Sequence, residues 1–145
     1  MKLIVDTNII IAAIIKDSTT RRLLLRFDLE LFSPEYLFEE LNEHREEIIR
    51  KAKINEQDFE DFCQVIRRII HIVPKTTYAH HLAEAAGVIE DENDWPFAAV
   101  ALSAGDCGIW SNDPHFTQKS KELFEKHCIT IWTTHRLYEF INDKL

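Results

Sequence analysis

Four carboxylates carry the chemical content of this sequence. Asp6 follows the apolar run Leu3-Ile4-Val5, Asp113 follows Gly108-Ile109-Trp110-Ser111, Asp94 opens a helical stretch, and Glu40 stands early in another. Acids gathered at one edge of a parallel sheet repel one another unless a divalent cation lies between them, so the set reads as a magnesium or manganese site. The chemistry expected of such a site is hydrolysis of a phosphodiester by metal-activated water, with two cations about 4 Å apart if two are held. Asp6, Asp94 and Asp113 are the expected direct ligands. Glu40 would ligate a second cation or orient the attacking water, and Thr7 and Ser111 would hydrogen-bond the carboxylates and fix their angles. Asp91, three residues before Asp94, either reaches the same cation or lines the rim.

Taken singly, each acid has a plainer explanation. Asp94 before Trp95-Pro96 and Asp113 before Pro114 are both well placed as N-caps, and Glu40 alone would be a surface glutamate. Four independent accidents converging on one edge is the harder reading, and capping is compatible with metal binding.

The elements that must position these acids alternate along the chain. Apolar runs predict strands near 3–6, 31–33, 71–74, 108–111 and 129–132, with helical patterns between them, which is the signature of a parallel sheet covered on both faces. The fold class expected is therefore α/β, with a central, mostly parallel sheet of about five strands. In such a sheet ligands bind beyond the carboxyl ends of the strands, where Asp6 and Asp113 fall, and helix starts such as that at Asp94 share this edge. Ser33 and Pro34 predict a helix start, followed by the stripe Leu37, Leu41, Ile48 and Ala52. Glu40 lies roughly 60° from Leu37 on that helix, on the flank of the buried face, while Glu39 and Glu43 point outward. Asn55 and Asp58 predict a capping box before Phe59, Phe62, Cys63, Ile66 and Ile69. Tyr78 to Ile89 repeats the helical spacing, Ala98 to Leu102 is apolar all round and predicts a buried helix, and Thr133 or Thr134 caps a closing helix.

Bulk properties narrow the setting. The 145 residues suit one domain spanning 1–145, and 46% hydrophobic with 29% charged residues is ordinary globular composition. Cys63, Cys107 and Cys128 are odd in number and widely spaced, which argues against a zinc site or a disulfide framework and for the reducing cytoplasm. The apolar segment 3–15 is interrupted by Asp6, Thr7 and Asn8 and is too short to span a membrane. A net charge of −8 is unusual for a nucleic-acid partner, but bound cations would offset part of it, and the bases cluster locally at Arg21-Arg22-Arg26, Arg50-Lys51-Lys53, Arg67-Arg68 and Lys119 with Lys121. Phe27, Phe32, Tyr36, Phe38, Phe116 and Phe124 exceed the evident needs of a small core. Any that are exposed would point to a homodimer or to a partner helix laid in a groove.

Val5-Asp6-Thr7-Asn8, Glu39-Glu40-Leu41, the stretch Asp91-Glu92-Asn93-Asp94-Trp95-Pro96-Phe97-Ala98, and Trp110-Ser111-Asn112-Asp113 together resemble the PIN domain family, in the right order over nearly the whole chain. The resemblance implies a three-layer α/β/α fold and an acidic Mg2+ or Mn2+ site, in which Asp6, Glu40, Asp94 and Asp113 match the acidic quartet and Thr7, Asn8 and Ser111 match supporting polar positions. It also implies a single-strand-specific ribonuclease, with single-stranded RNA as substrate and, as in the VapC-type toxins, an antitoxin protein as partner. The alternative is a PIN domain that binds RNA or protein through a degenerate acidic site without cutting. An aspartyl phosphotransferase is disfavoured, since Asn8 stands where haloacid-dehalogenase-like enzymes carry a second aspartate.

Overall fold

Each strand of the sheet is short, and the alternation of its side chains feeds two separate cores. The computed structural model describes residues 1–15 and 18–143. Its elements are β1 (Lys2–Val5), α1 (Thr7–Ile15), α2 (Ser18–Leu24), β2 (Glu30–Pro34), α3 (Tyr36–Glu43), α4 (Arg45–Ala52), α5 (Glu56–Ile69), β3 (His71–Val73), α6 (Lys75–Tyr78), a 3-10 turn (Ala79–His81), α7 (Leu82–Ala86), a second 3-10 turn (Glu92–Asp94), α8 (Trp95–Ala104), β4 (Gly108–Trp110), α9 (Pro114–Thr117), α10 (Ser120–His127), β5 (Thr130–Trp132) and α11 (Thr134–Asp143). The strands form one five-stranded sheet in the order β3-β2-β1-β4-β5, and every pairing is parallel.

That order sets the site. The chain moves outward from β1 through β2 to β3, then returns to the other side of β1 for β4 and β5. The connections therefore diverge between β1 and β4, and a crevice opens beyond the carboxyl ends of those two strands. Leu3, Val5 and Trp110 face one core with α1, α2, α3, α4, α5 and α11, whereas Ile4 and Ile109 face the other with α7, α8 and α10. These are the three layers expected of the fold. On α8, Phe97 through Ala101 are all buried, so its alanines let it lie close against the sheet as the apolar run predicted.

Three local expectations are corrected. Pro34 ends β2 instead of opening a helix, and Glu35 takes the position before α3 without capping it; its carboxylate accepts the Lys75 N–H at 2.7 Å. The stripe Leu37, Leu41, Ile48 and Ala52 is divided between α3 and α4 by a bend at His44, where ψ is 8°, and the bend lets Leu41 and Ile48 reach the same core. Tyr78 to Ile89 is likewise interrupted by the 3-10 turn at Ala79–His81. The capping box holds as expected: Asn55 Oδ1 accepts the Asp58 N–H at 2.7 Å and Asp58 Oδ2 accepts the Asn55 N–H at 3.2 Å.

Gly108 begins β4 directly beneath the indole of Trp132, and a Cβ built there would lie 2.6 Å from that ring and 3.0 Å from the Thr130 carbonyl. Overpacking of a close-packed site costs about 1–3 kcal/mol. Gly108→Ala is expected to destabilise the protein by that amount in urea-monitored unfolding, and an unchanged midpoint would mean that the ring moves aside freely.

Candidate metal centre

Asp6 is the first residue past β1, and its backbone is still tied to the sheet: its N–H donates to the Trp110 carbonyl at 3.0 Å, while Ser33 Oγ donates to the Val5 carbonyl at 2.9 Å. Strand alternation sends its carboxylate to the α8 side, as it does Ser111 past β4. The two meet there, with Ser111 Oγ donating to Asp6 Oδ2 at 2.7 Å. Asp6 is only 2% exposed, and burial pushes its pKa up to about 6. The Ser111 hydroxyl and the N–H groups of Thr7 and Asn8 oppose that rise, and the charge on Asp113 adds to it.

The same serine holds the second acid. Ser111 Oγ also accepts the Asp113 N–H at 3.0 Å, so one hydroxyl sets both aspartates. Asp113 caps α9 by accepting the His115 N–H at 2.8 Å, and its other oxygen lies 3.5 Å from Asn8 Nδ2. Glu40 reaches the same crevice from α3, where Thr7 Oγ1 donates to it at 2.7 Å. Its pKa is raised to about 7 by burial, with Asp6 and Asp94 adding repulsion and Thr7 opposing. Glu39 and Glu43 are exposed, as the helical geometry required.

Asp94 closes the second 3-10 turn and makes no capping hydrogen bond to α8, so its buried carboxylate is left to face the other acids. Burial raises its pKa to about 7, helped by the charges of Asp6, Asp113 and Asp91 and opposed by His115. Asp91 Oδ1 caps the turn by accepting the Asn93 N–H at 2.9 Å, which leaves Asp91 at the rim. Hydrogen bonds thus join Asp6, Ser111, Asp113 and Asn8 in one group and Thr7 to Glu40, and the electrostatic influence of these acids on one another puts Glu40, Asp94 and Asp91 near that group.

One participant escaped the sequence reading. His115 Nδ1 stands 3.0 Å from Asp94 Oδ2, 3.3 Å from Asp113 Oδ1 and 3.6 Å from Asp91 Oδ2, and these carboxylates raise its pKa. Ligand atoms of Asp91, Asp94 and His115 lie within 4.8 Å of one another, close enough to share an ion. The available signal was the Asp113-Pro114-His115 cap itself, because the cap bond to the residue two further on brings that residue under the carboxylate.

The donor set fits a hard divalent cation. Asp91, Asp94 and His115 already hold their ligand atoms close enough to share an ion, the carboxylates of Asp6, Glu40 and Asp113 stand near them, and among the described residues no lysine or arginine pairs with Asp6, Glu40, Asp94 or Asp113. A cleft of about 450 Å³ lies instead at the amino ends of the strands, lined by Lys2, Glu30, Asp106, Cys107 and Trp132 among others. None of the raised carboxyls of Asp6, Glu40 and Asp94 lines it, so volume and chemistry disagree here, and the charge arrangement is the better guide to a site.

Comparison with known proteins bears on the fold and the family. No protein of curated function matches the chain. Among solved structures, it is similar to a chain in the crystal structure of VapBC2 from Rickettsia felis bound to a DNA fragment from their promoter, with a TM-score of 0.62 and 18% identity over 92% of this chain and 98% of that one. At that identity the likeness concerns the fold. The family model described as PIN domain matches residues 4–139, nearly the full length, and the chain belongs to the PIN domain family.

Proposed function

We propose that this protein is a divalent-metal-dependent nuclease, an endoribonuclease that hydrolyses single-stranded RNA in the cytoplasm as a single domain spanning 1–145. The observation that supports it most is the grouping of the acids: Ser111 Oγ donates to Asp6 at 2.7 Å and accepts the Asp113 N–H at 3.0 Å, Thr7 holds Glu40 at 2.7 Å, and burial first, then the charges of neighbouring acids, raises the pKa of Asp6, Glu40 and Asp94. A fold seldom maintains such repulsion without a use for it, and perturbed acids in a cleft mark functional sites. All four acidic positions are filled, which weighs against a degenerate, non-cutting PIN domain.

Asp6, Asp94 and Asp113 would hold Mg2+ or Mn2+, with Glu40 and Asp91 close by. Bound there, the ion supplies charge neutralisation of the phosphate and activation of water. The chain supplies orientation and proton handling. Ser111 fixes the angles of Asp6 and Asp113 together, Asn8 steadies Asp113, and Thr7 aims Glu40. Glu40, whose pKa is near the working pH, is the group suited to take the proton from the attacking water.

The direct test is incubation with labelled single-stranded RNA in Mg2+ or Mn2+ and then in chelator. Cleavage that stops on chelation is the expected result, and a strand left whole under every metal condition overturns the reading. Because Ser111 orients two carboxylates, Ser111→Ala is expected to weaken Mn2+ binding by about 10–100-fold in calorimetric titration, the usual range for a group that holds a ligand in place. Binding unchanged by that variant would show that the ion sits elsewhere.

Two finer assignments belong to the same reading. The fold likeness to a chain of VapBC2 supports a role as the toxin of a toxin-antitoxin pair, with an antitoxin protein as partner. The exposed Leu25 and Val65 line one apolar cleft with Leu24, Phe62 and Ile69, a surface on which such a partner or a second copy could dock. Of the other aromatic residues noted in the sequence, Phe116 is buried, Phe38 lies under the Arg67 guanidinium at 3.7 Å, and Tyr36 donates to Asn93 at 2.7 Å. No helix among the described residues is long and apolar enough to cross a membrane.

A further inference from the structure

His115 divides the acidic crevice from a second cavity. Glu90, His115, Gln118 and Lys119 line about 260 Å³ of space on its far side. That is less than the ~300–1,000 Å³ typical of sites for drug-sized ligands, and it suits one planar heterocycle.

The walls are held from behind. Trp95 Nε1 donates to the Ile89 carbonyl at 2.6 Å, and Ile89 is buried, so the backbone that presents Glu90 is anchored. Across the cavity, buried Phe116 pins the turn after α9, where the N–H of Gln118 donates to the Pro114 carbonyl at 2.9 Å and that of Lys119 to the Phe116 carbonyl at 3.0 Å. The polar ends are uncommitted: among the described residues, the Glu90 carboxylate, the Gln118 amide and the Lys119 ammonium have no hydrogen-bond or ion-pair partner within the protein. A carboxylate, an amide and a free cation thus stand on fixed backbone around a base-sized space that shares a wall with the proposed reaction centre.

We infer that this cavity is a base-recognition subsite that selects guanine next to the scissile phosphate; the assignment rests on the nuclease reading above. Single-stranded RNA is read by splaying out a base and bonding its edges. Guanine alone offers a carboxylate two adjacent donors, N1–H and the N2 amino group, while its O6 and N7 accept from lysine and amide donors. Adenine and cytosine would set an acceptor nitrogen against Glu90, and uracil would flank its one donor with two carbonyl oxygens. Lys119 supplies the positive charge that a protein of net charge −8 needs where a nucleic acid enters.

The test uses labelled RNA strands identical except for one position carrying guanine, inosine (which lacks the N2 amino group) or adenine. Each is measured two ways: for cleavage with Mn2+, and for binding by fluorescence polarisation in chelator. The wild type is expected to favour guanine over inosine by about tenfold in both, the scale of one two-pronged base contact. Glu90→Gln is expected to erase that distinction while leaving cleavage of a guanine-free strand and the melting temperature unchanged, because Glu90 is exposed and outside the acidic quartet. Gln118→Ala is expected to weaken guanine-strand binding. Equal handling of guanine and inosine, or a preference that survives Glu90→Gln, overturns the subsite even if cleavage proceeds. Selective binding in chelator without any cleavage supports the subsite and overturns the nuclease reading instead.

Discussion

Replacing Asp6 with asparagine is expected to lower metal-dependent RNA cleavage by at least about 100-fold while preserving the fold. Stabilisation of transition-state charge by a bound ion is worth several kcal/mol, and each 1.36 kcal/mol is a factor of ten in rate. Asp6 is the most buried acid of the crevice and the one set by the most hydrogen bonds, so its charge has the fewest substitutes. Asparagine is the right replacement because the site can accept its shape. Its carbonyl can still receive the N–H groups at the start of α1, and its amide can donate to Ser111 Oγ if that hydroxyl rotates. Cleavage kinetics with Mn2+ and circular dichroism on the same preparation check both halves. Folded protein that cuts within tenfold of the wild-type rate would remove Asp6 from the reaction.

The sequence and the structure agree best where a pattern is local and repeated. The five strands fall within about a residue of their apolar runs, because a buried strand needs several consecutive apolar residues and little else. The acids at strand ends were legible for the same reason: once a run ends in Asp6 or in Ser111-Asn112-Asp113, a parallel sheet places both at its carboxyl edge. Glu40 followed from its helical angle, its place near the helix start and the Glu39-Glu40-Leu41 resemblance. What the sequence concealed was tertiary in origin. Nothing in Glu43-His44-Arg45 resembles a helix breaker, and the bend there answers to the shape of the core beneath Leu41 and Ile48. No sequence pattern singled out His115, which the α9 cap bond and the second 3-10 turn, from distant parts of the chain, bring beside the acids.

The metal-free protein is expected to lose stability as pH rises from about 4 to 8, and Mn2+ is expected to restore it most strongly at the upper end. The carboxyls of Asp6 and Asp94 rise from an ordinary value of 3.8 to about 6 and about 7, and that of Glu40 from 4.5 to about 7. Between those limits the folded chain holds protons that the unfolded chain has released, so stability falls with rising pH through this window. His115, also raised, contributes in the same direction, since its favourable pairing with the acids is lost as it deprotonates. For Asp6 alone the displacement corresponds to on the order of 3 kcal/mol, or roughly 10 °C in melting temperature for a domain of this size. A divalent ion replaces the protons as counter-charge and binds only the assembled crevice, so its stabilisation should be larger at pH 8 than at pH 5, where protons compete for the same oxygens. Melting curves at pH 5, 6.5 and 8, with chelator and with Mn2+, measure both effects, and Asp6→Asn should flatten the metal-free slope by removing the most buried of the titrating groups. A melting temperature that rises with pH in chelator, or a Mn2+ shift equal at pH 5 and pH 8, would mean that these carboxyls do not crowd one another in solution and that the crevice is not a cation site.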